Sequence, residues 1–289
     1  MRTLHVDTGR RMQGGQWQVV YLLEKLERAT LLAAAGSPLL EEARKRGIDA
    51  EELSLLKLRR YAPVADVIHA HDARGHTFAA LAASGPLVVS RRVAFPVSQS
   101  VASKWKYGRA TLFLAVSNFV AEKLVEAGVN REKIRVVYDG VPLPPSLSNR
   151  TPKRVVALAG KCEDLVRAAG AEAGVAIHFT SNLWEDLSTA SVFIYASALE
   201  GLGSAALAAM AAGVPVIACG QGGLSEAVEH QKTGLVTAPQ EIGAALIRLL
   251  SDPQYADQLG KQGRERVERK FTIEAMVEAT RKAYAEVAR

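Results

Sequence analysis

Ser197-Ala198-Leu199-Glu200-Gly201-Leu202-Gly203-Ser204 follows the apolar run 192–196 and precedes a stretch of small helix formers, residues 205–212. A strand-like run, a glycine-broken turn and a helix begin a βαβ unit. Gly213-Val214-Pro215-Val216-Ile217-Ala218 supplies the returning strand. Glycines at 201 and 203 let the backbone approach a ligand and free the N–H groups of Leu202, Gly203 and Ser204 at a helix start. That arrangement suits a diphosphate, and the carboxylate of Glu200 suits sugar hydroxyls. Gly222-Gly223-Leu224-Ser225-Glu226 forms a second helix start facing the same crevice.

The same alternation of short apolar runs and amphipathic stretches extends to both ends. It predicts strands at Thr3–Asp7 and at 30–35, 66–70, 87–90, 112–116 and 135–138, with helices over 16–28, 38–46 and 118–127 among them. Further strands are predicted at 155–159, 176–179, 192–196, 215–218 and 235–237, and three helices close the chain, the last over 272–287. Between the two sets lies Asp139-Gly140-Val141-Pro142-Leu143-Pro144-Pro145, with Pro152 soon after. Prolines so dense make a stiff non-helical connector. We therefore expect an α/β protein of two doubly wound parallel-sheet, Rossmann-like domains facing a cleft, 1–145 and 146–289, with the final helix packing back on the first. Ligands in such sheets sit beyond the carboxyl ends of the strands.

A length of 289 residues suits two such cores, and 48% apolar residues can fill them. Cys162 and Cys219 form no CxxC pair, which argues against a structural zinc site and for a reducing, cytoplasmic setting. The first strand leaves no room for a signal peptide, and no apolar run is long enough to cross a bilayer. Residues 1–145 carry 21 Lys+Arg against 14 Asp+Glu, a net of +7, and the remaining 15 against 16 give −1. The first half is thus expected to meet something anionic: a phosphorylated lipid, a membrane surface or an acidic glycan. Stacking aromatics are not interleaved with these cations, so nucleic acid is not expected.

Three motifs in this half can carry chemistry. Gly14-Gly15-Gln16, next to Arg10 and Arg11, is either an anion-binding helix start or a plain tight turn. His69-Ala70-His71-Asp72 ends a strand; alternation puts both histidines on one side, His69 in the core and His71 at the mouth of the cleft. The zinc-hydrolase pattern fails here, because Arg74 stands where an Asp is required although His76 is present, so no metal is expected. Ser90-Arg91-Arg92, with Lys104, Lys106 and Arg109 beyond, is either a phosphate clamp or a solvated basic face.

Glu200-Gly201-Leu202-Gly203, Ala209-Met210-Ala211, Gly213-Val214-Pro215-Val216, Gly222-Gly223 with Glu226, and Gly234-Leu235-Val236 together resemble the donor domain of the retaining family-four glycosyltransferases. Gly14-Gly15, His69-Ala70-His71, Ala115-Val116-Ser117 and residues 136–141 are similar to the same family's first domain. The resemblance covers nearly the whole chain. It implies a GT-B fold and transfer, without metal or other cofactor, from a nucleotide diphosphate sugar to a glycan or lipid-linked acceptor in cell-envelope synthesis. The catalytic candidates are then Glu200, His71 and Arg92. Gly201, Leu202, Gly203, Ser204, Glu226 and Lys161 would bind the donor, and Gly14, Gly15, Arg11 and Arg91 phosphate or acceptor. The implied location is the cytoplasm, with peripheral contact at the inner face of a membrane.

The chain departs from that family in three places. Ala208 stands where a second Glu binds ribose, Arg92 stands near a usual His, and residues 155–161 resemble the second βα unit of the donor domain. About one unit, with its Arg and Lys, is therefore expected to be missing. The alternatives are a non-catalytic binding protein of the same fold, an NAD enzyme reading Gly201-x-Gly203-x-x-Ala206 as its fingerprint, and a metallohydrolase on His69 and His71. The NAD reading is opposed by residues 198–200, which lengthen the strand–glycine junction, and by the lack of an acidic residue near Cys219.

Overall fold

The structure, a computed structural model, describes residues 1–98, 100–145 and 149–288. The chain divides into Met1–Tyr138 with Ile273–Arg289, and Asp139–Thr272. The first transition thus falls at Tyr138, ahead of the proline-rich connector rather than after it. Asp139-Gly140-Val141 already belongs to the second unit, where the Val141 N–H donates to Phe271 O at 2.9 Å.

In the first unit the strands are β1 (Thr3–Asp7), β2 (Ala29–Ala33), β3 (Ala50–Glu52), β4 (Val67–Ala70), β5 (Leu87–Arg91), β6 (Leu112–Ala115) and β7 (Ile134–Val136). They pair in parallel in the order β3-β2-β1-β4-β5-β6-β7. Every residue of β1 is buried, as expected of a strand covered by helices on both faces. The edge strand β3 escaped the sequence reading because Ala50-Glu51-Glu52 is short and charged, the composition that protects an open edge. Strand order reverses between β1 and β4, so this unit's crevice lies at their carboxyl ends.

The helix Ile273–Val287 completes the first unit from far along the chain. Ala283 and Tyr284 pack on Val67, Val88, Leu112 and Leu114, while Met276 and Val277 pack on Tyr21 and Leu22. The sheet face beneath it also carries polar side chains. His5 pairs in register with His69, and Thr3, His5, His69, His71 and Ser90 are all buried. The Tyr284 hydroxyl lies 2.5 Å from His69 Nδ1, and Ser90 Oγ lies 2.8 Å from its Nε2.

The second unit holds β8 (Val155–Leu158), β9 (Ile177–Thr180), β10 (Val192–Glu200), β11 (Val216–Gly222) and β12 (Leu235–Val236), parallel in the order β12-β11-β10-β8-β9. Its reversal falls between β8 and β10. Residues 197–200, expected as loop, instead prolong β10. After an irregularity between Ala196 and Leu199 the pairing resumes with Leu199 opposite Gln221 and Glu200 opposite Gly222. Cys219, expected beyond a strand end, lies inside β11 for the same reason. A side chain at Gly222 would start 2.2 Å from Glu200 O, and the backbone there has φ +99°. Only glycine allows this continuation. The helix Ser204–Ala211 is capped at its far end by Arg264, which donates to Ala211 O at 2.8 Å.

Replacing Tyr284 by Phe would keep the apolar packing and leave His69 Nδ1 without its buried partner. We expect a loss of about 1–3 kcal/mol, measured by urea unfolding followed by circular dichroism.

Candidate active site

The second unit concentrates its polar groups at the β8/β10 reversal. β8 runs into Gly160 and Lys161, and β10 delivers Glu200 beside them. The Lys161 ammonium pairs with Glu200 Oε1 and donates to the Tyr195 hydroxyl at 3.1 Å, while Ser197 Oγ donates to Glu200 Oε1 at 2.8 Å. Burial pushes the Tyr195 phenol well up, and the Glu200 charge adds to it, so Tyr195 stays protonated. Glu200 is therefore fixed by three neighbours rather than free in solvent. The sequence reading found Glu200 and Lys161 and missed Tyr195 and Ser197; their signal was alternation along β10, which puts 195 and 197 on one face.

Two helix starts lie nearby and differ in kind. At Glu163–Glu172 the first turn holds Glu163 and Asp164, and the Gly160 N–H donates to Glu163 Oε1 at 2.7 Å. Acidic side chains already neutralise that start. At Ser204–Ala211 the N-cap is Gly203, with φ +95° and no side-chain cap, and the first turn has no acidic residue. Its N–H groups remain the site's better anion partners. Gly201 and Leu202 are buried ahead of it. Glu226 lies half-buried in the short helix Leu224–Ala227. Ala208 is inside the Ser204–Ala211 helix at 3% exposure.

At the first unit's reversal, β1 ends in Asp7 and β4 leads into His71 and Asp72. Asp7 is buried and accepts from the Gly9 N–H at 2.8 Å and from Gln16 Nε2 at 3.2 Å. Burial raises its pKa, and the Asp72 charge raises it further, while Gly9, Gln16 and Arg92 oppose the shift. Asp72 caps the helix Ala73–Ala82, accepting from Gly75 and from the Thr8 N–H at 3.0 Å each. The Arg92 side chain lies against Gly15, with Cδ 3.9 Å from where a Cβ would stand. Gly14 and Gly15 open the helix Gly14–Leu23 rather than forming a turn before it, and Arg11 is exposed. Arg91 is engaged on its own loop, donating to Phe95 O and, at 3.4 Å, to the Tyr107 hydroxyl, which sets it apart from a phosphate clamp with Arg92. His71, placed by sequence at the cleft mouth, is instead buried at 6% exposure.

The sequence reading also missed His5, which draws the histidines together. His5 Nδ1 lies 2.9 Å from His71 Nε2, and His5 Nε2 lies 3.0 Å from Thr3 Oγ1. His5, His69 and His71 hold nitrogens within 4.8 Å of one another, a spacing that a metal could bridge. Yet both nitrogens of His5 and both of His69 are within hydrogen-bonding distance of a neighbour, and only His71 Nδ1 lacks a partner. Burial lowers all three pKa values, that of His5 to about 3, and mutual repulsion adds to this for His69 and His71. Three neutral imidazoles form a hydrogen-bonded stripe.

Residues 144–266 match the family model described as glycosyl transferases group 1, and residues 12–143 match that of glycosyltransferase family 4. With both sheets and both crevices in place, the chain belongs to the family-four-like glycosyltransferases of GT-B fold. A phosphatidylinositol monomannoside mannosyltransferase of Mycobacterium tuberculosis, described as GDP-mannose-dependent, is 47% identical over 70 residues, 23% of this chain and 18% of that protein. The alpha-maltose-1-phosphate synthase of Mycolicibacterium smegmatis is 35% identical over 117 residues, 37% of this chain and 30% of that protein. These matches thus take in less than a third of either relative. Among solved structures, Anabaena HepE in complex with UDP and glucose superposes with a TM-score of 0.87 at 17% identity, over 99% of this chain and 100% of that one. The apo form of the lipopolysaccharide outer core galactosyltransferase WaaB gives 0.74 at 14%, over 99% of each.

The stripe makes stability depend on pH in a definite sense. Histidines with lowered folded pKa values favour the folded state above the unfolded value and oppose it as pH falls below about 6.5. Asp7, being raised, acts in the opposite sense but is one group against four, since burial also lowers His76 to about 4. We expect the urea midpoint to drop steeply from about pH 6.5 downward, each histidine contributing up to about 1.4 kcal/mol per pH unit. His5→Asn should flatten that slope, and an unchanged slope would place the titrating groups elsewhere.

Proposed function

We propose that the chain transfers a sugar from a nucleoside diphosphate sugar to a hydroxyl of a glycan or lipid-linked acceptor, with retention and without a metal. The observation that carries this reading is the Lys161–Glu200–Tyr195–Ser197 cluster beside the uncapped helix start at Gly203. The helix N–H groups would take the diphosphate, Lys161 would add the cation, and Glu200 would accept hydrogen bonds from sugar hydroxyls. The bond from the sugar anomeric carbon to the diphosphate oxygen breaks with its electron pair on that oxygen. The acceptor oxygen bonds the same face of the carbon and passes its proton to the departing phosphate. Stabilising that leaving group is the protein's main task.

Sheet topology supports the same reading, since each unit's polar groups gather where strand order reverses. Ala208 and the five-stranded second sheet raised the question of a non-catalytic member. HepE, matched end to end by this chain, was crystallised with UDP-glucose, so a fold of this length accommodates a nucleotide sugar. Asp7, Asp72 and Arg92 are the acceptor-side candidates, and a cytoplasmic site at a membrane's inner face would suit a lipid-linked acceptor.

Calorimetric titration with UDP, GDP, ADP, CDP and NAD tests the proposal. We expect one nucleoside diphosphate to bind in the micromolar range. Lys161→Ala should weaken it about tenfold or more, the worth of one charge-assisted hydrogen bond. Glu200→Gln should keep nucleoside diphosphate binding and lose transfer, because its partner is the sugar. Binding of NAD alone would favour the dinucleotide reading, which the extension of β10 to the glycine turn makes geometrically easier. Binding of none would refute the donor assignment.

A further inference from the structure

From Ala73 to Ala121 the chain holds Arg74, Arg91, Arg92, Lys104, Lys106 and Arg109, and no Asp or Glu at all. Within this stretch the apolar exposure is also concentrated. Val93 is 44% exposed, Phe95 63%, Val101 86% and Trp105 46%. The helix Val101–Arg109 has no buried residue. Val101 and Trp105 are four residues apart and share a face, with Lys104 beside them. An ordinary surface helix turns that stripe inward; this one presents it outward.

The segment is held in place. The Arg91 guanidinium donates to Phe95 O, Lys106 Nζ donates to Ala73 O at 3.2 Å, and Arg109 donates to Ala83 O at 2.8 Å. These bonds fix the helix to its neighbour by its cationic side and leave Phe95, Val101 and Trp105 standing out. Clustered apolar exposure of this kind marks an interaction surface. Its chemistry names the occupant. Exposed aliphatic and aromatic side chains with Lys104 beside them, on a stretch without a carboxylate, match the headgroup layer of an anionic membrane. Nucleic acid could stack on Phe95 and Trp105 but would leave Val93 and Val101 uncovered, so a bilayer fits the patch better. A second copy would set like charges against each other.

We propose that residues 93–95 and the helix Val101–Arg109 dock the first unit on a bilayer containing anionic lipid. Phe95, Val101 and Trp105 enter the interface, Lys104 meets lipid phosphates, and the charges of Lys106 and Arg109 add to the attraction from behind the helix. Among the described residues no helix is long and apolar enough to cross a membrane, so the contact is with the surface. The inference deepens the acceptor reading above and rests on it for its purpose, but its test needs no donor.

The full chain is sedimented with phosphatidylcholine vesicles, with or without phosphatidylglycerol as a third of the lipid. We expect at least about tenfold stronger binding to the anionic vesicles, given several basic residues each contributing at the surface. Added salt should weaken it. Phe95→Ser with Trp105→Ser should lower it about tenfold or more, and Lys104→Glu should also lower it, with circular dichroism unchanged because all three side chains are exposed. Equal binding to both vesicles, or binding that the double variant keeps in full, would overturn the proposal. So would a dimer that the double variant dissolves, which would make the patch a contact between copies. Vesicle binding without any nucleotide binding would leave the docking surface standing and remove the transfer reading.

Discussion

A side chain at Gly222 would begin 2.2 Å from the carbonyl oxygen of Glu200, and the second unit's chemistry depends on that closeness. Strands β10 and β11 would part after Ala196 if the backbone could not approach so near. Because it can, pairing resumes beyond the irregularity, and Glu200 is held by the sheet rather than by a loop. A carboxylate on a strand end has a defined partner in Lys161, whose strand is the neighbour of β10. The left-handed backbone at Gly203 follows at once and turns the chain into a helix with uncapped N–H groups. The uncapped helix start and its flanking carboxylate are thus consequences of one backbone contact.

The first unit depends on a different device. Its sheet carries a polar stripe where a doubly wound fold ordinarily has aliphatic side chains, and burying unpaired polar groups is costly. The stripe is tolerated because its members satisfy one another and because Tyr284 arrives from the other end of the chain to meet His69. The helix Ile273–Val287 is therefore both an apolar lid and a hydrogen-bond partner, which ties completion of the first unit to prior synthesis of the second. The one imidazole nitrogen without a partner, His71 Nδ1, belongs to the histidine closest in sequence to the crevice. Burial keeps that imidazole neutral, so it does not duplicate the charge of Arg92.

Much of the architecture was legible in the sequence because buried parallel strands read as short apolar runs and the intervening helices as periodic ones. The Gly201–Ser204 turn could be read because glycine at those positions has few other uses. What stayed hidden depends on contacts between distant residues. His5 looked like an ordinary strand residue until register set it opposite His69. Ser197-Ala198-Leu199 lacks the β-branched character of a strand, and only the partner strand's glycines let it pair. Arg91 and Arg92 are indistinguishable as a dipeptide, yet one is held by Phe95 and the other lies over Gly15. The first transition lies a few residues ahead of 145 for a related reason: prolines mark stiffness, whereas Val141 is claimed by a backbone bond to Phe271 that no local pattern announces.

Charge placement links the two devices. The first unit is basic, yet its buried interior is kept neutral by imidazoles that burial prevents from protonating. Its cations stand at the surface instead, Arg74, Lys104 and Arg109 of the acid-free stretch 73–121 among them. Protonating the stripe would place positive charge in a low-dielectric interior already facing Arg92, and the fold would lose stability long before the surface lost its charge. The same neutrality leaves Asp7 as the buried negative group, with half-buried Asp72 near it, and Asp7 has a raised pKa. A carboxyl with a raised pKa, a neutral imidazole and an arginine are thus brought together at a single strand reversal.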